Sequence, residues 1–302
     1  MPELPEVQTT VSILQKTVTG RTIRDVWTDY GSAFHTGKQN IKDKNYFSYF
    51  KKETIGKRIL GARRRAKNVL IDVSGNKTIL VHMKMTGHLL YGKYIFKGGK
   101  WIPPHGTALD DPFNGFIHLA FSLSGGTTLV LSDMRKFAKV AVLDTKTLDA
   151  ADDIAKLGPE PLEKHFTYAV FKKCLARKPH GKVKTVLMDQ EIISGIGNIY
   201  SDEILWRSGI HPLSRTGKIP ERKLRELYKN IGVILRESLA VGGDSQSDYR
   251  NPLGKKGGYQ NIHKAYRQTG KPCPKRDGGI IKRILVGGRS AHFCPKHQEV
   301  YN

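Results

Sequence analysis

Residues 1–20 read MPELPEVQTTVSILQKTVTG, and this stretch predicts how the chain begins to fold. Its apolar side chains recur at steps of four, three and four residues, which places them on one face of a helix. They are Val7, Val11, Leu14 and Val18. Gly20 ends the pattern, because glycine is common just beyond the end of a helix. An amphipathic helix with one face against a core is therefore expected.

The sequence that follows, up to about residue 145, consists of short β-branched and aromatic runs separated by Gly, Asn, Ser and Asp. This pattern is typical of strands joined by turns. The runs are TIRDVW, NVLIDV, TILVHM, FIHLAFSL, TTLVLS and KVAVLD. They favour a β-sandwich or flattened barrel with the first helix in front of it.

The second half of the chain is predicted to be helical. LGPEPL at residues 157–162 contains two prolines in four positions, which is typical of a linker. The helical segments after it are HFTYAVFKKCLAR, VKTVLMDQ, NIYSDEILWRSG and PERKLRELYKNIGVILRESLAVGG. Residues 249–302 carry twelve Lys and Arg against two Asp and Glu, and their glycine pairs predict a small basic hairpin module.

These patterns together predict an α+β fold with an ordered series of domains. We expect a β-sandwich at 1–148, a linker at 149–162, a helical domain at 163–262 and a β-hairpin module at 263–302. A chain of 302 residues is long enough for two domains, since single cores usually stop growing at about 250 to 300 residues.

The charge balance indicates a polyanionic partner. The chain has 51 Lys and Arg against 27 Asp and Glu, a net charge of +24. Nucleic acid is the first expectation, the ribosome the second and an anionic membrane surface the third. No apolar run of about 18 residues and no signal-like start is present, so a cytoplasmic, nucleoid-associated protein is expected. The odd number of cysteines, three, argues against a disulfide framework.

The first residues offer a reactive amine. Methionine before proline is usually removed, which would make Pro2 the N-terminus with a secondary amine. An α-amine has a reference pKa of about 7.7 to 8.0, so part of it is neutral near neutral pH. Such an amine can attack a sugar carbon and form an iminium ion. Glu3 could move protons beside it; alternatively, Glu3 and Glu6 only complement the helix dipole.

Several stretches that follow one another along the chain carry a family resemblance. They are PELPEV at 2–7, RRAK at 64–67, HMKMTG at 82–87, DMRKF at 133–137, LGPEPL at 157–162, SGIGNIYSDEIL at 194–205 and the C-terminal CPKR…RSAHFCPKH. Together they resemble the formamidopyrimidine-DNA glycosylase family. The resemblance implies a monomeric base-excision-repair enzyme that binds damaged double-stranded DNA and removes oxidised purines, 8-oxoguanine and formamidopyrimidines. It also implies AP lyase activity by β,δ-elimination.

The resemblance assigns catalytic roles to three residues. Pro2 would be the nucleophile, Glu3 would protonate the opening sugar or the base, and Lys67 would contact a phosphate beside the active site. Glu6 and His82 are expected among the residues that bind DNA and recognise the lesion.

An enzyme of this kind must flip its target base out of the duplex, at a cost of a few kcal/mol. The resemblance assigns Met85, Arg135 and Phe137 to the gap that the flipped nucleotide leaves and to its orphaned partner. Apolar wedges of this kind unstack base pairs, and an arginine can read a base edge.

The helical half is expected to grip the DNA strand. In the GIGNIYS stretch, a glycine turn before a helix exposes backbone N–H groups that can bind a phosphate, and Asn198 adds a side-chain donor. The resemblance implies a helix, two turns, helix element here, places Lys184 near the lesion, and makes Arg289 a phosphate contact of the hairpin module.

The hairpin module departs from the family pattern, which holds zinc with two CxxC pairs. Here Arg276 and His297 stand at the second position of the two pairs. Imidazole is a normal zinc ligand, whereas a guanidinium is not. Cys273, Cys294 and His297 remain, with Asp277 as a possible fourth ligand and His292 and His263 as weaker ones. A module without zinc is the alternative.

Three rival functions stay open at this point. The sister branch of the superfamily removes oxidised pyrimidines, although Leu4 in PELPEV favours the purine branch. A catalytically inactive damage-binding DNA protein and a ribosome-associated basic protein are the others. Residues 31–54 and 92–114, rich in Lys, Gly and aromatics, are expected to be insertions between strands and have no assigned role.

Overall fold

The computed structural model describes residues 1–302 and divides the chain into two compact units. The first comprises Met1–Ala155 and Val241–Gly258, and the second comprises Lys156–Ala240 and Tyr259–Asn302. Helices and antiparallel sheets both contribute, so the predicted α+β class is confirmed. Residues 241–258 belong to the first unit, whereas the sequence pattern had grouped them with the helical segment.

The first unit begins with helix α1, Leu4–Thr17. The apolar face predicted from the sequence is buried, since Val7, Val11, Leu14 and Val18 are at most 4% exposed. Each such side chain stabilises the fold by roughly 1.5–3 kcal/mol. The helix contacts the sheet beside it, where Gln15 Oε1 accepts a hydrogen bond from the Ala62 N–H at 2.6 Å.

Two four-stranded antiparallel sheets form a sandwich behind α1. Their strands are β1 Ile23–Thr28, β2 Ile59–Arg65, β3 Asn68–Val73, β4 Lys77–His82, β5 His88–Gly92, β8 Ile117–Leu123, β9 Thr127–Ser132 and β10 Lys139–Asp144. The orders are β1-β8-β9-β5 and β10-β4-β3-β2. One apolar core joins both sheets and α1. All six runs predicted as strands are strands, whereas β2 and β5 were missed because ILGARRR and HLLYG have weak strand patterns.

Both predicted insertions are folded. Residues 31–54 include helix α2, Lys44–Thr54, whose Asp43 caps its N-terminus by accepting the Tyr46 N–H at 2.5 Å. Residues 92–114 include a hairpin of β6, Ile95–Lys97, and β7, Lys100–Ile102. The rings of Phe96 and Trp101 on this hairpin pack against the Trp27 ring of β1.

The second unit contains the predicted helices. A short helix α3, Asp152–Ala155, ends the first segment of the chain; then come α4 Tyr168–Ala176, α5 Val183–Met188, α6 Asn198–Ser208 and α7 Glu221–Ala240. Strands β11, Lys282–Val286, and β12, Arg289–Phe293, form the C-terminal hairpin. None of the helices combines the length and the apolar character needed to cross a bilayer.

Candidate active site and metal cluster

The chain start forms a compact carboxylate site in the first unit. Glu3 and Glu6 are 2% and 1% exposed, and Pro2 is buried beside them. The two carboxylates form a capping box at the N-terminus of α1, in which Glu6 Oε2 accepts the Glu3 N–H at 2.7 Å. Glu6 Oε1 accepts the Asp244 N–H, also at 2.7 Å. Backbone donors and the helix dipole therefore compensate the burial of these side chains.

The Met1 amine, one residue before Pro2, lies within the electrostatic reach of four charged side chains, Glu3, Glu6, Lys67 and Asp248. Burial lowers the pKa of this amine; the two glutamates and Asp248 oppose the shift, and Lys67 adds to it. A lower pKa increases the neutral, nucleophilic fraction near pH 7. The surroundings of the chain start therefore favour a neutral terminal amine next to buried carboxyl groups.

Lys67 reaches this site from the turn between β2 and β3. It is buried, and the preceding Ala66 has a φ of 54°, a left-handed conformation that is uncommon outside glycine. Arg64 Nη1 donates to the Ala66 carbonyl at 3.1 Å and holds the turn. Strained residues of this kind are concentrated at functional sites.

Two further turns carry the residues expected to enter the DNA. Met85 lies in the turn between β4 and β5, and Arg135 and Phe137 lie between β9 and β10. Met85 and Phe137 are 37% and 49% exposed although both are apolar. The Arg135 guanidinium stacks 4.6 Å from the centre of the Phe137 ring. The structure thus presents an apolar and cationic edge to solvent.

Asp133 joins these two turns, and the sequence reasoning missed it. Its fully buried carboxylate accepts hydrogen bonds from Thr86 Oγ1 at 2.5 Å, from the Ala138 N–H at 2.7 Å and from the Tyr30 hydroxyl at 2.9 Å. Burial, followed by the Asp133 charge, raises the pKa of Tyr30, which keeps its hydroxyl a donor. The sequence offered only the position of Asp133 directly before MRKF and gave no sign of its burial.

His82 lies at the end of β4, just before the Met85 turn. Its Nδ1 accepts the Lys84 N–H at 3.0 Å. Burial, helped by the charges of Lys84 and Lys67, lowers the pKa of His82 to about 3. The ring is therefore neutral with its proton on Nε2, and it can donate one hydrogen bond.

A cavity of about 690 Å³ opens beside Phe137. It is lined by lysines from the 31–54 insertion and from the sandwich, with two aspartates on its rim. The ionisable lining residues are His35, Lys38, Lys42, Lys84, Lys139, Asp152 and Asp153. Four lysines against two aspartates leave this lining with a net positive charge, which attracts anions.

In the second unit, the glycine turn before α6 is held by Gln190. Its Nε2 donates to the Ile196 carbonyl and its Oε1 accepts the Gly195 N–H, both at 2.8 Å. Asn198 stands at the first position of α6, and its buried Oδ1 has no hydrogen-bond partner. The turn therefore combines backbone donors at a helix N-terminus with a polar side chain, as expected for a phosphate site.

Lys184 is a fully buried lysine in helix α5. It is 0% exposed, and its Nζ donates to Asp202 Oδ1 at 2.5 Å and to Ser201 Oγ at 3.1 Å. Asp202 Oδ2 accepts the His292 N–H at 3.0 Å and lies 2.8 Å from His292 Nδ1. Protein groups therefore enclose the ammonium of Lys184, and its expected place near a lesion stays a prediction. His292 is bound to Asp202 in the same way and is not part of the group of possible metal ligands.

Glu203, beside Asp202, is a second buried carboxylate that the sequence reasoning missed. It accepts the backbone N–H groups of Lys264, Ala265 and Tyr266 at 2.8 to 2.9 Å. Burial raises its pKa although these donors oppose the shift. Glu203 therefore fastens α6 to the segment that leads into the hairpin module.

The hairpin module presents an arginine and a cluster of ligand atoms. Arg289 is exposed at the start of β12, next to the turn formed by Gly287 and Gly288, which both have positive φ. The ligand atoms of Cys273, Asp277, Cys294 and His297 all lie within 4.8 Å of one another. His263, the other weak candidate, is outside this group.

His297 is oriented for such a role. Its Nδ1 lies 2.9 Å from Asp277 Oδ2 and 3.5 Å from Cys273 Sγ, while Nε2 lies 3.0 Å from the Trp206 carbonyl at the end of α6. A carbonyl can only accept, so Nε2 carries a proton and Nδ1 is left for the cluster. The group can bind a metal ion.

Two family models match the chain. Residues 1–140 match the formamidopyrimidine-DNA glycosylase N-terminal domain, and residues 157–250 match the formamidopyrimidine-DNA glycosylase H2TH domain. The chain belongs to the formamidopyrimidine-DNA glycosylase family and is a DNA glycosylase. The resemblance inferred from the sequence is confirmed.

Relatives match over the whole length. The chain is 36% identical to the formamidopyrimidine-DNA glycosylase of Pelotomaculum thermopropionicum, over 99% of this chain and 100% of the relative. The value for the Lactobacillus acidophilus enzyme is also 36%, over 100% of both chains. A solved complex of Lactococcus lactis Fpg with DNA containing an abasic site has a TM-score of 0.82 and 30% identity, covering 98% of this chain and 99% of that one. A variant of that protein bound to DNA containing Fapy-dG has a TM-score of 0.82 and 31% identity, covering 99% of this chain and 100% of that one.

Proposed function

We propose that this chain is a monomeric, cytoplasmic base-excision-repair enzyme that binds damaged double-stranded DNA, removes 8-oxoguanine and formamidopyrimidines, and then cleaves the strand. The observation that carries the proposal is Pro2, buried directly beside the buried Glu3 and Glu6 at the start of α1. Solved complexes of a relative with abasic and Fapy-dG DNA support the substrate class.

In the proposed reaction, removal of Met1 makes the Pro2 nitrogen the nucleophile. The neutral nitrogen bonds to C1′ of the damaged nucleotide as the glycosidic bond breaks, and the base leaves with a proton. The nitrogen then loses its own proton, and its lone pair expels the ring oxygen, which takes up a proton, to give an iminium ion. Loss of a C2′ proton expels the 3′ phosphate, and a second elimination expels the 5′ phosphate.

Glu3 is the proposed proton donor to the sugar oxygen or the base, because its carboxyl group lies beside the amine and is shielded from water. Lys67 would bind the phosphate next to the reacting sugar, and Glu6 would fix the position of Glu3 through the Glu3 N–H. His82, neutral with one donor, would hydrogen-bond DNA near the same site.

Met85, Arg135 and Phe137 are proposed to fill the gap in the base stack. Met85 and Phe137 are apolar and yet exposed, and the Asp133 carboxylate joins the two turns that carry them. Both features support this role, because a wedge must be accessible and rigid. In the second unit, Asn198 and Arg289 would bind phosphates. Helices α5 and α6 with the turn between them would then be the helix-two-turn-helix element of a helical DNA-binding domain.

Zinc is the metal proposed for the hairpin module. Two thiolates, an imidazole and a carboxylate match the ligands that Zn²⁺ takes in tetrahedral sites, and their ligand atoms already lie together. When bound, the ion would supply structural cross-linking of the two arms of this zinc-finger-like module. Elemental analysis of purified protein, with His297→Ala as a comparison, tests the assignment.

Borohydride trapping on a panel of duplexes tests the whole proposal. We expect a covalent adduct with 8-oxoguanine, formamidopyrimidine and abasic DNA. Binding without any adduct would indicate an inactive damage-binding protein, and faster trapping on oxidised pyrimidines would indicate the sister branch. Preference for RNA in a competition assay would favour the ribosome-associated alternative.

A further inference from the structure

Residues 243–250 form a loop that contacts the chain start. Near its beginning, the Asp244 N–H donates to Glu6 Oε1; near its end, the Tyr249 hydroxyl donates to the Glu6 carbonyl at 2.9 Å. Asp248, between these two contacts, is close enough to raise the pKa of the Met1 amine. The loop therefore contributes to the charge environment at the start of the chain.

One ion pair fixes the end of the loop. Arg250 is 1% exposed, and its Nε and Nη2 donate to Asp111 Oδ2 and Oδ1 at 3.1 and 3.3 Å. Its Nη1 donates back to the Ser247 and Tyr249 carbonyls at 3.1 and 3.0 Å. The guanidinium also stacks 4.9 Å from the Phe113 ring centre. One side chain thus holds the loop backbone and Asp111 at the same time.

Asp111 and Phe113 belong to the 92–114 insertion, and other contacts tie the same segments. The Tyr91 N–H, at the entry to the insertion, donates to the Pro252 carbonyl at 2.7 Å. Gly254, with a φ of +80°, lies so close to the Ala108 backbone that an added Cβ would be only 2.4 Å from its carbonyl oxygen. The insertion is therefore a built support for residues 243–254.

Arg250 needs this support because a buried guanidinium without a carboxylate partner is strongly destabilising. Its planar fork also fits a carboxylate in two parallel hydrogen bonds, which fixes direction as well as distance. Removal of Asp111 would therefore release the loop rather than leave it in place.

We propose that the Asp111–Arg250 pair makes the 92–114 insertion a positioning device for the active site, which holds the 243–250 loop, with Asp248, against the N-terminal nucleophile. In this role Asp111 and Arg250 act through the loop and are positioning residues. The proposal rests on the amine chemistry proposed above for its kinetic consequence, but the contact itself is independent of that chemistry.

Two variants and their combination test the proposal in the full-length protein. Asp111→Asn and Arg250→Met should each slow the single-turnover rate of borohydride trapping on abasic DNA about 10- to 100-fold, the range expected when a reacting group is slightly misplaced. The dissociation constant for the same DNA should change less than about threefold, since the phosphate contacts lie elsewhere. The double variant should be no slower than the slower single variant, because both remove one interaction.

A matched control separates this role from a general loss of charge pairing. Arg63 and Asp72 form a similar two-bond pair, at 2.8 and 3.3 Å, on the exposed edge of β2 and β3. Asp72→Asn should leave the trapping rate unchanged. Hydrogen exchange of residues 243–250 should increase in Asp111→Asn and stay at the wild-type level in Asp72→Asn.

Unchanged hydrogen exchange of the loop in Asp111→Asn would overturn the proposal, whether or not the protein is active. Wild-type trapping rates in both Asp111→Asn and Arg250→Met, or equal losses of rate and affinity, would also overturn it. If the wild type itself forms no adduct, the proposed function fails. The hydrogen-exchange measurement alone then decides whether the Asp111–Arg250 pair holds the 243–250 loop.

Discussion

The start of the chain and the cluster in the hairpin module both bring reactive side chains together, but they are assembled differently. Pro2, Glu3 and Glu6 are neighbours in sequence and are arranged by the first turn of one helix. The four ligand residues of the cluster come from two separate stretches around a hairpin and meet only after it folds. In the proposed reaction the first site depends on one nitrogen atom at a fixed place in the chain, whereas the second depends only on the convergence of four suitable donors.

This difference fits the state of the two motifs. The proposed nucleophile depends on one atom, and the PELPEV stretch matches the family motif. A metal site depends on the convergence of any suitable donors, and Asp277, one residue beyond Arg276, can reach the place of a missing cysteine. Changes at the chain start should therefore have larger effects than changes in the metal-ligand cluster.

The largest effect should come from the N-terminal atom itself. A variant that retains Met1, or Pro2→Gly, is expected to form no borohydride adduct, because retained Met1 makes the Pro2 nitrogen an amide and glycine replaces the secondary ring amine by a primary one. Intact mass would establish the state of the N-terminus, and gel analysis would measure the adduct. Normal excision by a protein that still carries Met1 would refute the role of Pro2.

Glu3→Gln should separate binding from chemistry. The amide keeps the shape and the hydrogen-bond acceptor, but it cannot deliver a proton, so base removal should slow by about 10²- to 10⁴-fold. Affinity for lesion DNA, measured by fluorescence anisotropy, should be retained. A fully active Glu3→Gln protein would remove the carboxyl group from the mechanism.

Breaking the buried Lys184–Asp202–His292 network should affect folding rather than chemistry. Lys184→Met leaves Asp202 with one partner fewer in a fully buried place and should reduce the free energy of unfolding by about 3–5 kcal/mol. Denaturant titration measures this loss. If Lys184→Met instead keeps full stability and loses only DNA affinity, the lysine contacts DNA after all.

Loss of one ligand should weaken the metal cluster without removing the enzyme's active site. Asp277→Asn is expected to retain a metal at high concentration and to release it to a chelator sooner than the wild type, because the neutral amide is a poorer zinc ligand. Competition with a chromogenic chelator measures the change. Equal release by wild type and variant would leave Asp277 outside the ligand set.

The smallest effect should come from Arg289, an exposed phosphate contact. Arg289→Ala should lower affinity by about 1–3 kcal/mol and should reduce the slope of log K against log salt by about one. Exposed Arg283 in the same hairpin, changed to Ala, is the control and should shift the slope less. Identical slopes for wild type and Arg289→Ala would contradict a phosphate contact.

Much of this organisation was readable from the sequence. The α1 face, the six strand runs and the four main helices follow from periodicities of about 3.6 and 2 residues, which are local properties. The missed strands show the limit: β2 carries Arg63, Arg64 and Arg65, a run whose charges hide its strand character until β3 pairs with it.

The missed functional residues have a common physical reason. Asp133, Asp202 and Glu203 are carboxylates inside quoted motifs, and sequence alone suggests that charged residues face water. In the structure their acceptor atoms are matched by N–H and O–H donors from elements distant in the chain. Lys184 illustrates the same limit, since its burial depends on Asp202 from another helix.

The sequence by itself predicted six of the strands, the four main helices and the family, because these depend on side-chain order over a few residues. Only the tertiary structure decided which carboxylates are buried and paired, which four ligands converge, and that the 92–114 insertion holds Arg250 through Asp111. Those features depend on distances between segments far apart in the chain, which folding fixes and a linear pattern does not encode.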